Sequence, residues 1–430
     1  MENSKLPIDL KLLPLTAEVS ESGELFIGGV SVSEVAADYG TPVFIYDQEH
    51  VRTRLIEAKK AWGINVAYGS KAFICKHLVS MINELGIKID VSTGGELSHC
   101  LLSGFDPAKI VFHGNNKSLM ELTSAISAGV GLIIIDSFDE LDRIEKLTIL
   151  NPSSQPLNVM LRITPGIEAH THEYIKTGQY DSKFGFGVNS SSTKEAAERI
   201  IKNDTLKLVG FHFHIGSLIF KLDGYHEALK AVSEFINSYK IDQLVIGGGL
   251  GIPYLSDDPI ISISEWADYI KDAAQKCGVD PSIEITAEPG RSIVGSAAIT
   301  VYKVGTIKRI DNIRTYVSVD GGMSDNPRPV LYSSGYEAFL PQKVNSDRSL
   351  SCRVVGKHCE SGDILVADGW LPKDVAVGDL LATPVTGAYG YSMASNYNKV
   401  PKPSVVFVSD GNVKEVIRRE TLQDLIRLDL

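Results

Sequence analysis

The chain has 430 residues, of which 43% are hydrophobic and 22% are charged. This composition is typical of a folded globular protein and excludes a disordered, collagen-like or coiled-coil chain. The 42 Lys and Arg residues against 53 Asp and Glu residues give a formal net charge of −11, with the acids scattered along the sequence. This acidic balance argues against nucleic acid or an anionic membrane as the main partner.

The five cysteines are an odd number and include no Cys-x-x-Cys pair. The sequence therefore predicts neither a disulfide framework nor a metal site, and a reducing compartment is the expected environment. Residues 1–15 mix acidic and basic side chains and lack the apolar run of a signal peptide. The longest apolar stretch, near residues 130–135, is too short to span a bilayer. We expect a cytoplasmic protein.

From about residue 47 the sequence alternates short β-branched runs with longer amphipathic stretches. Asp47 can cap a helix that runs through Trp62, and a second helix is predicted over residues 73–85, ended by Gly86. The predicted strands are residues 64–67, 87–91, 110–112, 132–135, 159–163, 208–213, 244–246 and 283–286. Eight strands separated by helices predict an α/β fold with a closed, TIM-like (β/α)8 barrel, with a doubly wound open sheet as the alternative.

The pattern changes after about residue 293, where the helical stretches end. Further strand-like runs are residues 298–310, 315–319, 364–367, 380–384 and 405–408. They predict a C-terminal antiparallel β-sandwich or β-barrel domain, which residues 24–30 can join from the N-terminal side. We place the barrel at residues 46–296 and assign residues 1–45 and 297–430 to the β domain.

In a (β/α)8 barrel, the residues that follow the strands lie together at one end, which is where active sites are found. Polar or glycine-rich runs follow most of the predicted strands: YGSK at 68–71, DVS at 90–92, HGN at 113–115, Arg162, HFHIGS at 212–217, GGGLG at 247–251 and EPGR at 288–291. Lys71 at such a position could attack a carbonyl as a Schiff-base nucleophile. A solvated lysine at a strand end is the alternative interpretation.

Three other strand ends allow a similar choice. Residues 247–251 form a tight turn or cradle a phosphate on their N–H groups. Glu288 and Arg291 belong to a surface turn, or Glu288 holds a pyridine nitrogen protonated so that the ring can accept a carbanion's electrons. His214 is a core histidine or stacks on that ring. A lysine, a phosphate loop and an acid at one end of a barrel together favour a pyridoxal site. No H-E-x-x-H, P-loop or nucleophile-elbow motif competes.

The predicted β domain contains three further polar motifs. CESGD at residues 359–363 places a thiol beside two acids, the turn-rich residues 320–329 can project Arg328, and GAYGY lies at 387–391. Each of them could also be a loop with incidental polar residues.

These motifs resemble the fold-type-III pyridoxal-phosphate decarboxylases, whose barrel is like that of alanine racemase, and most closely the diaminopimelate branch of that family. The resemblance runs from about Gly28 to Tyr397. It rests on YGSKA at 68–72, HFHIGS at 212–217, GGG at 247–249, EPGR at 288–291, RPVLY at 328–332 and CESGD at 359–363, all in the family's order. Residues 172–178 and 182–185 also resemble the diaminopimelate branch.

The resemblance implies pyridoxal 5′-phosphate as the cofactor, with Lys71 bound to it as a Schiff base, His214 stacked on its ring and Glu288 at its pyridine nitrogen. The other implied cofactor contacts are Asp90, Ser217, Gly248, Gly249, Pro289, Gly290, Arg291 and Tyr389. The implied substrate contacts are Arg291, Arg328 and Tyr332 at the distal carboxylate, Glu360 at the distal ammonium, and Tyr389. Cys359 is the implied proton donor and reaches the active site of the other subunit, so the resemblance implies a homodimer with shared sites.

The implied reaction is decarboxylation of meso-2,6-diaminopimelate at its D-centre to L-lysine and carbon dioxide, the last step of lysine biosynthesis. A carbanion that is protonated once needs a ring-nitrogen acid and a single donor, whereas a racemase needs two opposed acid–base groups. The alternatives are a decarboxylase of ornithine, arginine or carboxynorspermidine with the same fold, an alanine-racemase-like isomerase, and a pyridoxal-phosphate carrier without activity. Residues 168–183 are the candidate lid.

Overall fold

The computed structural model describes residues 6–150, 154–167 and 181–430. The chain divides into two compact units, one of Met1–Arg54, Ile252–Pro259 and Ile293–Leu430 and the other of Leu55–Gly251 and Ile260–Ser292. The domain boundaries expected at residues 46 and 296 stay a prediction. Within the described residues, no helix has the length and apolar character needed to cross a membrane.

The first unit begins with five short elements: β1 (Glu18–Val19), β2 (Leu25–Ile27), β3 (Val30–Ser31), α1 (Val32–Tyr39) and β4 (Val43–Asp47). The first three strands pair antiparallel in a sheet of their own. Residues 24–30 lie in the same unit as the C-terminal strands, within this separate small sheet. Gly28 and Gly29, with φ of 59° and 76°, turn the chain sharply between β2 and β3, so these two strands pair with each other.

The second unit is built from alternating helices and strands. They are α2 (Gln48–Trp62, which starts in the first unit), β5 (Ala67–Gly69), α3 (Lys76–Glu84), β6 (Lys88–Val91), α4 (Gly94–Leu102), β7 (Ile110–Phe112), α5 (Leu119–Ala128), β8 (Leu132–Ile135), α6 (Phe138–Leu150), β9 (Leu157–Thr164), β10 (Phe186–Gly187), α7 (Ser191–Ile201), β11 (Leu206–His212), α8 (Asp223–Asn237), β12 (Gln243–Val245), α9 (Ile263–Lys276), β13 (Glu284–Thr286) and α10 (Arg291–Val294).

The strands of this unit form one parallel sheet in the order β13-β12-β11-β9-β8-β7-β6-β5, with β10 paired only to β9. The sheet curls until its ends meet, because the N–H groups of Ala67 and Gly69 donate to the carbonyls of Ala287 (3.2 Å) and Pro289 (3.1 Å). Inward-facing side chains fill the interior, among them the cluster of Ala67, Val111, Leu132, Ile134, Met160 and Val245. This confirms the (β/α)8 prediction and rules out the open doubly wound sheet.

Two predicted elements of the barrel are displaced. The first strand was expected at residues 64–67 and is β5, because Ile64 is exposed on the preceding turn and cannot serve as a barrel-filling residue. The helix expected from residue 73 begins at Lys76, since Ser70–Ala72 form a 3-10 turn and the side chain of Cys75 caps the helix by accepting from the N–H of Leu78. The helix predicted after Asp47 is confirmed as α2.

The rest of the first unit is mostly β. It contains β14 (Ala298–Ile310), β15 (Arg314–Val319), α11 (Arg328–Tyr332), β16 (Leu350–Val355), β17 (Ile364–Leu371), β18 (Leu380–Pro384), β19 (Ser404–Ser409) and β20 (Asn412–Ile417). The sheet order is β17-β16-β15-β14-β4-β19-β20, with β18 also on β14. The pairing is antiparallel except for β15 with β16 and β4 with β19, which are parallel. The antiparallel prediction therefore holds for most of this sheet.

Candidate active site

Lys71 lies directly after the first barrel strand, on the 3-10 turn Ser70–Ala72, and its side chain is exposed. The turn is held in place because the hydroxyl of Tyr68 donates to the carbonyl of Phe73 over 2.7 Å. Lys71 lies near enough to Asp90 and His214 for its charge to act on both groups. The structure thus brings these three predicted site residues to the same end of the barrel.

Glu288 lies after the last barrel strand, buried between two histidines from other strands. The Nε2 of His113, after β7, is 2.8 Å from Oε1, and the Nε2 of His212, at the end of β11, is 3.1 Å from Oε2. The same His113 nitrogen lies 3.8 Å from Oδ1 of Asp90, which lies in β6. One ligand-type atom from each of His113, His212 and Glu288 lies within 4.8 Å of the other two. Both oxygens of Glu288 already accept from an imidazole, so we interpret the cluster as a hydrogen-bonded ion pair.

The pKa shifts in this cluster differ from residue to residue. Burial would raise the pKa of Glu288, but the charge of His113 and the hydrogen bonds from His113 and His212 hold it well below its usual range. Burial would lower the pKa of His113, but Asp90 and Glu288 bring it above its ordinary value. Burial lowers the pKa of His212 to about 4 and raises the pKa of Asp90 to about 6. Glu288 is therefore a carboxylate and His212 a neutral imidazole at pH 7.

The glycines predicted to cradle a phosphate lie where main chains approach very closely. A Cβ on Gly248 would be 2.4 Å from the carbonyl oxygen of Glu288, and one on Gly249, whose φ is 111°, would be 2.3 Å from that of Gly216. The hydroxyl of Tyr225 fixes the loop by donating to the Gly248 carbonyl over 2.7 Å. Only glycine fits at these positions, which leaves the backbone at this end of the barrel free of covering side chains.

His214 and Arg291 complete the predicted group in the barrel. The ring of His214 packs against Gly247, where a Cβ would be 2.5 Å from its Nδ1. Burial lowers the pKa of His214 well below its usual value, and the Lys71 charge adds to this effect. A neutral ring of this kind can stack on an aromatic cofactor. Arg291 is buried at the start of α10, directly after the EPG turn.

Arg328, in the first unit, is an arginine that is only 1% exposed. Its terminal nitrogens donate to the hydroxyl of Tyr336 (2.6 Å) and to Oγ of Ser334 (3.0 Å), and its guanidinium lies 4.2 Å from the ring centroid of Tyr254. Its Nε is buried without a hydrogen-bond partner, and no carboxylate of the described residues pairs with it. A buried cation whose neighbours are all neutral is a binding position for an anion.

The predicted thiol–acid motif forms a fixed loop with two exposed side chains. Asp363 is buried, and its carboxylate accepts from the N–H groups of His358 (2.8 Å) and Met323 (2.7 Å). Cys359 and Glu360 are exposed at the tip of this loop, and the hydroxyl of Tyr397 donates to Glu360. Of the two acids beside the thiol, Asp363 therefore holds the loop in place and only Glu360 remains available to a ligand.

The remaining predicted residues are placed as follows. Tyr332 is half-buried at the end of α11, and Tyr389 is half-buried with φ of 59°. Ser217 is half-buried after β11. Most of the candidate lid, residues 168–180, lies outside the described residues, as does the motif at 172–178.

Comparison with known proteins decides the family. A family model described as "Pyridoxal-dependent decarboxylase, pyridoxal binding domain" matches residues 48–295. The chain belongs to the pyridoxal-dependent decarboxylases. It is 43% identical to the diaminopimelate decarboxylase of Bacillus subtilis (96% of this chain, 97% of the relative) and 42% identical to that of Mycobacterium tuberculosis (100% of both). The crystal structure of diaminopimelate decarboxylase from M. jannaschii in co-complex with L-lysine superposes with a TM-score of 0.86 at 32% identity (97% of this chain, 98% of that chain).

The barrel residues fit the cofactor of a pyridoxal-dependent decarboxylase. An exposed amine, a glycine loop and a buried carboxylate lie at one end of the barrel, and two polar atoms there, Oγ of Ser70 and Oδ1 of Asp90, are buried without a hydrogen-bond partner. These orphan atoms are what a polar cofactor would satisfy.

Sequence reasoning missed four residues that contact the predicted site residues. His113 and His212 were noted only as members of strand-end motifs, although both bond Glu288. Tyr254 and Tyr336, which enclose Arg328, were not singled out. The strand-end position was a usable signal for the histidines. For the two tyrosines the sequence offered none, because they come from loops that only the fold brings together.

Proposed function

We propose that this protein decarboxylates meso-2,6-diaminopimelate at its D-centre, giving L-lysine and carbon dioxide as the last step of lysine biosynthesis. The observation that carries the substrate assignment is Arg328, a buried guanidinium that no described carboxylate neutralises. Diaminopimelate keeps a second carboxylate after one end has reacted, and ornithine and lysine do not. The similarity of this chain over its full length to relatives named diaminopimelate decarboxylase supports the same assignment.

Pyridoxal 5′-phosphate would supply the electron sink, since its protonated ring delocalises the charge left by the departing carboxylate. Lys71 would hold the cofactor through its exposed amine, and the Gly247–Gly249 and Ser217 backbone would face its phosphate. The neutral ring of His214 would lie against the pyridine, with Asp90, Tyr389 and the Glu288–Arg291 turn as further contacts. Glu288, charged at pH 7, would keep the ring nitrogen protonated, which favours decarboxylation over racemisation.

Substrate recognition would depend on groups that match both charges of the distal amino-acid end. Arg328, assisted by Arg291 and Tyr332, would bind the distal carboxylate, because a guanidinium matches a carboxylate in two parallel hydrogen bonds. Glu360 would bind the distal ammonium, with Tyr389 beside cofactor and substrate. Arg328 is already oriented by Tyr336 and Ser334, so little side-chain entropy is lost when the anion binds.

Cys359 would donate the proton that replaces the lost carboxylate. Its thiol is exposed on a loop held by Asp363, which suits a group that must reach a reacting atom rather than one that packs in a core. We further propose that this loop acts in the active site of a second subunit, so that the working form is a homodimer. A cytoplasmic location agrees with five cysteines that are all unpaired.

The test is carbon dioxide release from meso-diaminopimelate, L-ornithine, L-arginine and L-lysine by protein supplied with pyridoxal phosphate. We expect turnover of diaminopimelate alone. Arg328→Gln should raise the KM for diaminopimelate by roughly 100-fold, with a smaller effect on kcat. Turnover of ornithine, arginine or lysine instead would overturn the role of Arg328. Racemisation without release of carbon dioxide would favour the isomerase. Cofactor binding without any turnover would favour the carrier.

The shared site has a separate test in mixed dimers. Lys71→Ala and Cys359→Ala are each expected to be nearly inactive, while Cys359→Ala should keep normal cofactor absorbance. Refolding the two together should restore up to about a quarter of wild-type activity, since a mixed dimer has one complete site. Absence of any recovery, with mixed dimers shown by a tag on one variant, would contradict a shared site.

A further inference from the structure

His113 and His212 bond the two oxygens of one carboxylate but do not have equivalent surroundings. The Nε2 of His113 faces two acids, Glu288 at 2.8 Å and Asp90 at 3.8 Å. The Nε2 of His212 faces Glu288 alone, at 3.1 Å. Because both oxygens of an ionised carboxylate only accept hydrogen bonds, each of these nitrogens carries a proton.

The second nitrogen of His212 determines the charge of that ring. Its Nδ1 is buried, and no donor or acceptor of the described residues reaches it. A buried N–H without an acceptor is costly, and a buried imidazolium would add an unpaired charge, so this nitrogen is unprotonated and the ring neutral. The other charges that face His212 are those of His113 and Arg162, both of which oppose a further positive charge.

His113 has the opposite environment. Two carboxylates, Asp90 in β6 and Glu288 after β13, lie at its Nε2, and their combined charge outweighs both burial and the opposing charge of Arg162. Asp90 also faces the charges of Lys71 and Glu96, and the negative charge of Glu288 repels its own. Without a cation between them, two buried carboxylates this close cannot both stay ionised, and one of them takes up a proton.

We infer that His113 and His212 are positioning residues for Glu288 with different roles: His113 is the cation that keeps Glu288 ionised beside Asp90, and His212 is a neutral donor that orients the other oxygen. This inference rests on the proposed placement of Glu288 at the pyridine nitrogen. Each carboxylate oxygen has a second lone pair, so a carboxylate bonded to both rings still accepts from a pyridinium.

The test compares the same substitution at both histidines, with cofactor binding measured in the absence of substrate. Glutamine places an amide N–H near the position of Nε2 and carries no charge. We expect His113→Gln to weaken pyridoxal phosphate binding about threefold at pH 8 and more than tenfold at pH 6, relative to wild type at each pH. His212→Gln should weaken cofactor binding only slightly relative to wild type, and by the same factor at both pH values. His226→Gln, on helix α8, is the matched control and should behave as wild type.

Equal and pH-independent effects at both histidines would overturn the unequal roles, and no effect at either would overturn the positioning role. If His113→Gln fails to fold, NMR titration of the histidine ring protons in the wild-type protein gives the answer directly. His113 should titrate above 6.5 and His212 below it. The reverse order, or one common pKa, would contradict the inference. Because no substrate is used, failure of diaminopimelate turnover would leave this result unaffected.

Discussion

The carboxylate of Asp363 accepts a hydrogen bond from the backbone N–H of His358, five residues earlier, over 2.8 Å. Its other oxygen accepts from the N–H of Met323 over 2.7 Å. The His358 ring in turn bonds Oγ of Ser324 over 2.8 Å. One buried acid thus fixes two neighbouring loops, and the exposed Cys359 follows directly after the residue that it anchors.

Replacing Asp363 with Asn should loosen this loop. An amide can accept only one of the two N–H groups, so we expect a loss of about 1–3 kcal/mol in the free energy of unfolding and a drop in kcat. Cofactor absorbance should not change. Urea unfolding and steady-state kinetics measure the two effects, with the exposed Asp368→Asn as the matched control. A normal kcat in a destabilised variant would mean that the loop does not position the thiol.

Lys117 and Glu140 form an ion pair, 2.7 Å between Nζ and Oε1, in which both side chains are at most 2% exposed. Lys117→Met leaves the Glu140 carboxylate buried without its cation and should cost about 3–5 kcal/mol. The free energy of unfolding is the quantity to measure. Lys202→Met, which breaks the exposed pair with Glu198, should cost less than ~1 kcal/mol. Adding Glu140→Gln to Lys117→Met should recover part of the loss.

Asp325 should make the stability depend on pH. Burial raises its pKa to about 7 from an ordinary value of 3.8, so the folded protein binds a proton that the unfolded chain releases between these pH values. This contribution to stability is fully present below about pH 4, falls as the pH rises towards 7, and is lost above pH 7. Asp325→Asn keeps a neutral group beside Tyr302 and Gly322.

Wild type should therefore be more stable relative to Asp325→Asn at pH 5 than at pH 8. Urea unfolding of both proteins at the two pH values measures this difference. A difference that is independent of pH would show that Asp325 does not titrate in this range.

Gly249→Ala should damage the cofactor site specifically. The added Cβ would lie 2.3 Å from the Gly216 carbonyl at a φ of 111°, so the loop has to move. We expect cofactor affinity to fall by roughly 100-fold in a fluorescence titration. Gly129→Ala is the control, because Gly129 also has a positive φ (77°) but an added Cβ there would meet no atom within 4 Å. It should leave the cofactor affinity unchanged. Equal losses in both variants would point to general destabilisation.

Strong periodic patterns were sufficient to predict most of the fold. Residues 110–112, 132–135, 298–310 and 380–384 were predicted as strands with the bounds that β7, β8, β14 and β18 have. β4, β16 and β20 were not predicted. β4 is an apolar run buried along its whole length, and β16 and β20 mix charged and apolar residues because they lie toward the edges of the sheet. The parallel pairing of β15 with β16 follows from the long connection between them, which no local pattern encodes.

The site was predictable where function follows strand position. Lys71, Asp90, His214 and Glu288 lie at the predicted end of the barrel because each is at or just after the end of a barrel strand. The pairing of Glu288 with its two histidines was not predictable, since the partners lie 175 and 76 positions away in the sequence. The burial of Arg328 was likewise not predictable from the sequence, because its motif is turn-rich and polar and such segments usually lie on the surface.

The closure of the barrel also determines when, during synthesis, the candidate site residues from its first and last strands can come together. The hydrogen bonds from Ala67 and Gly69 to Ala287 and Pro289 join the beginning of the barrel sequence to its end. Contacts of such long sequence separation form late in folding. With the roles proposed for Lys71 and Glu288, a nascent chain would carry the lysine through most of synthesis without the acid that completes the site. The growing polypeptide would then bind the proposed cofactor productively only after the segment with Glu288 has left the ribosome.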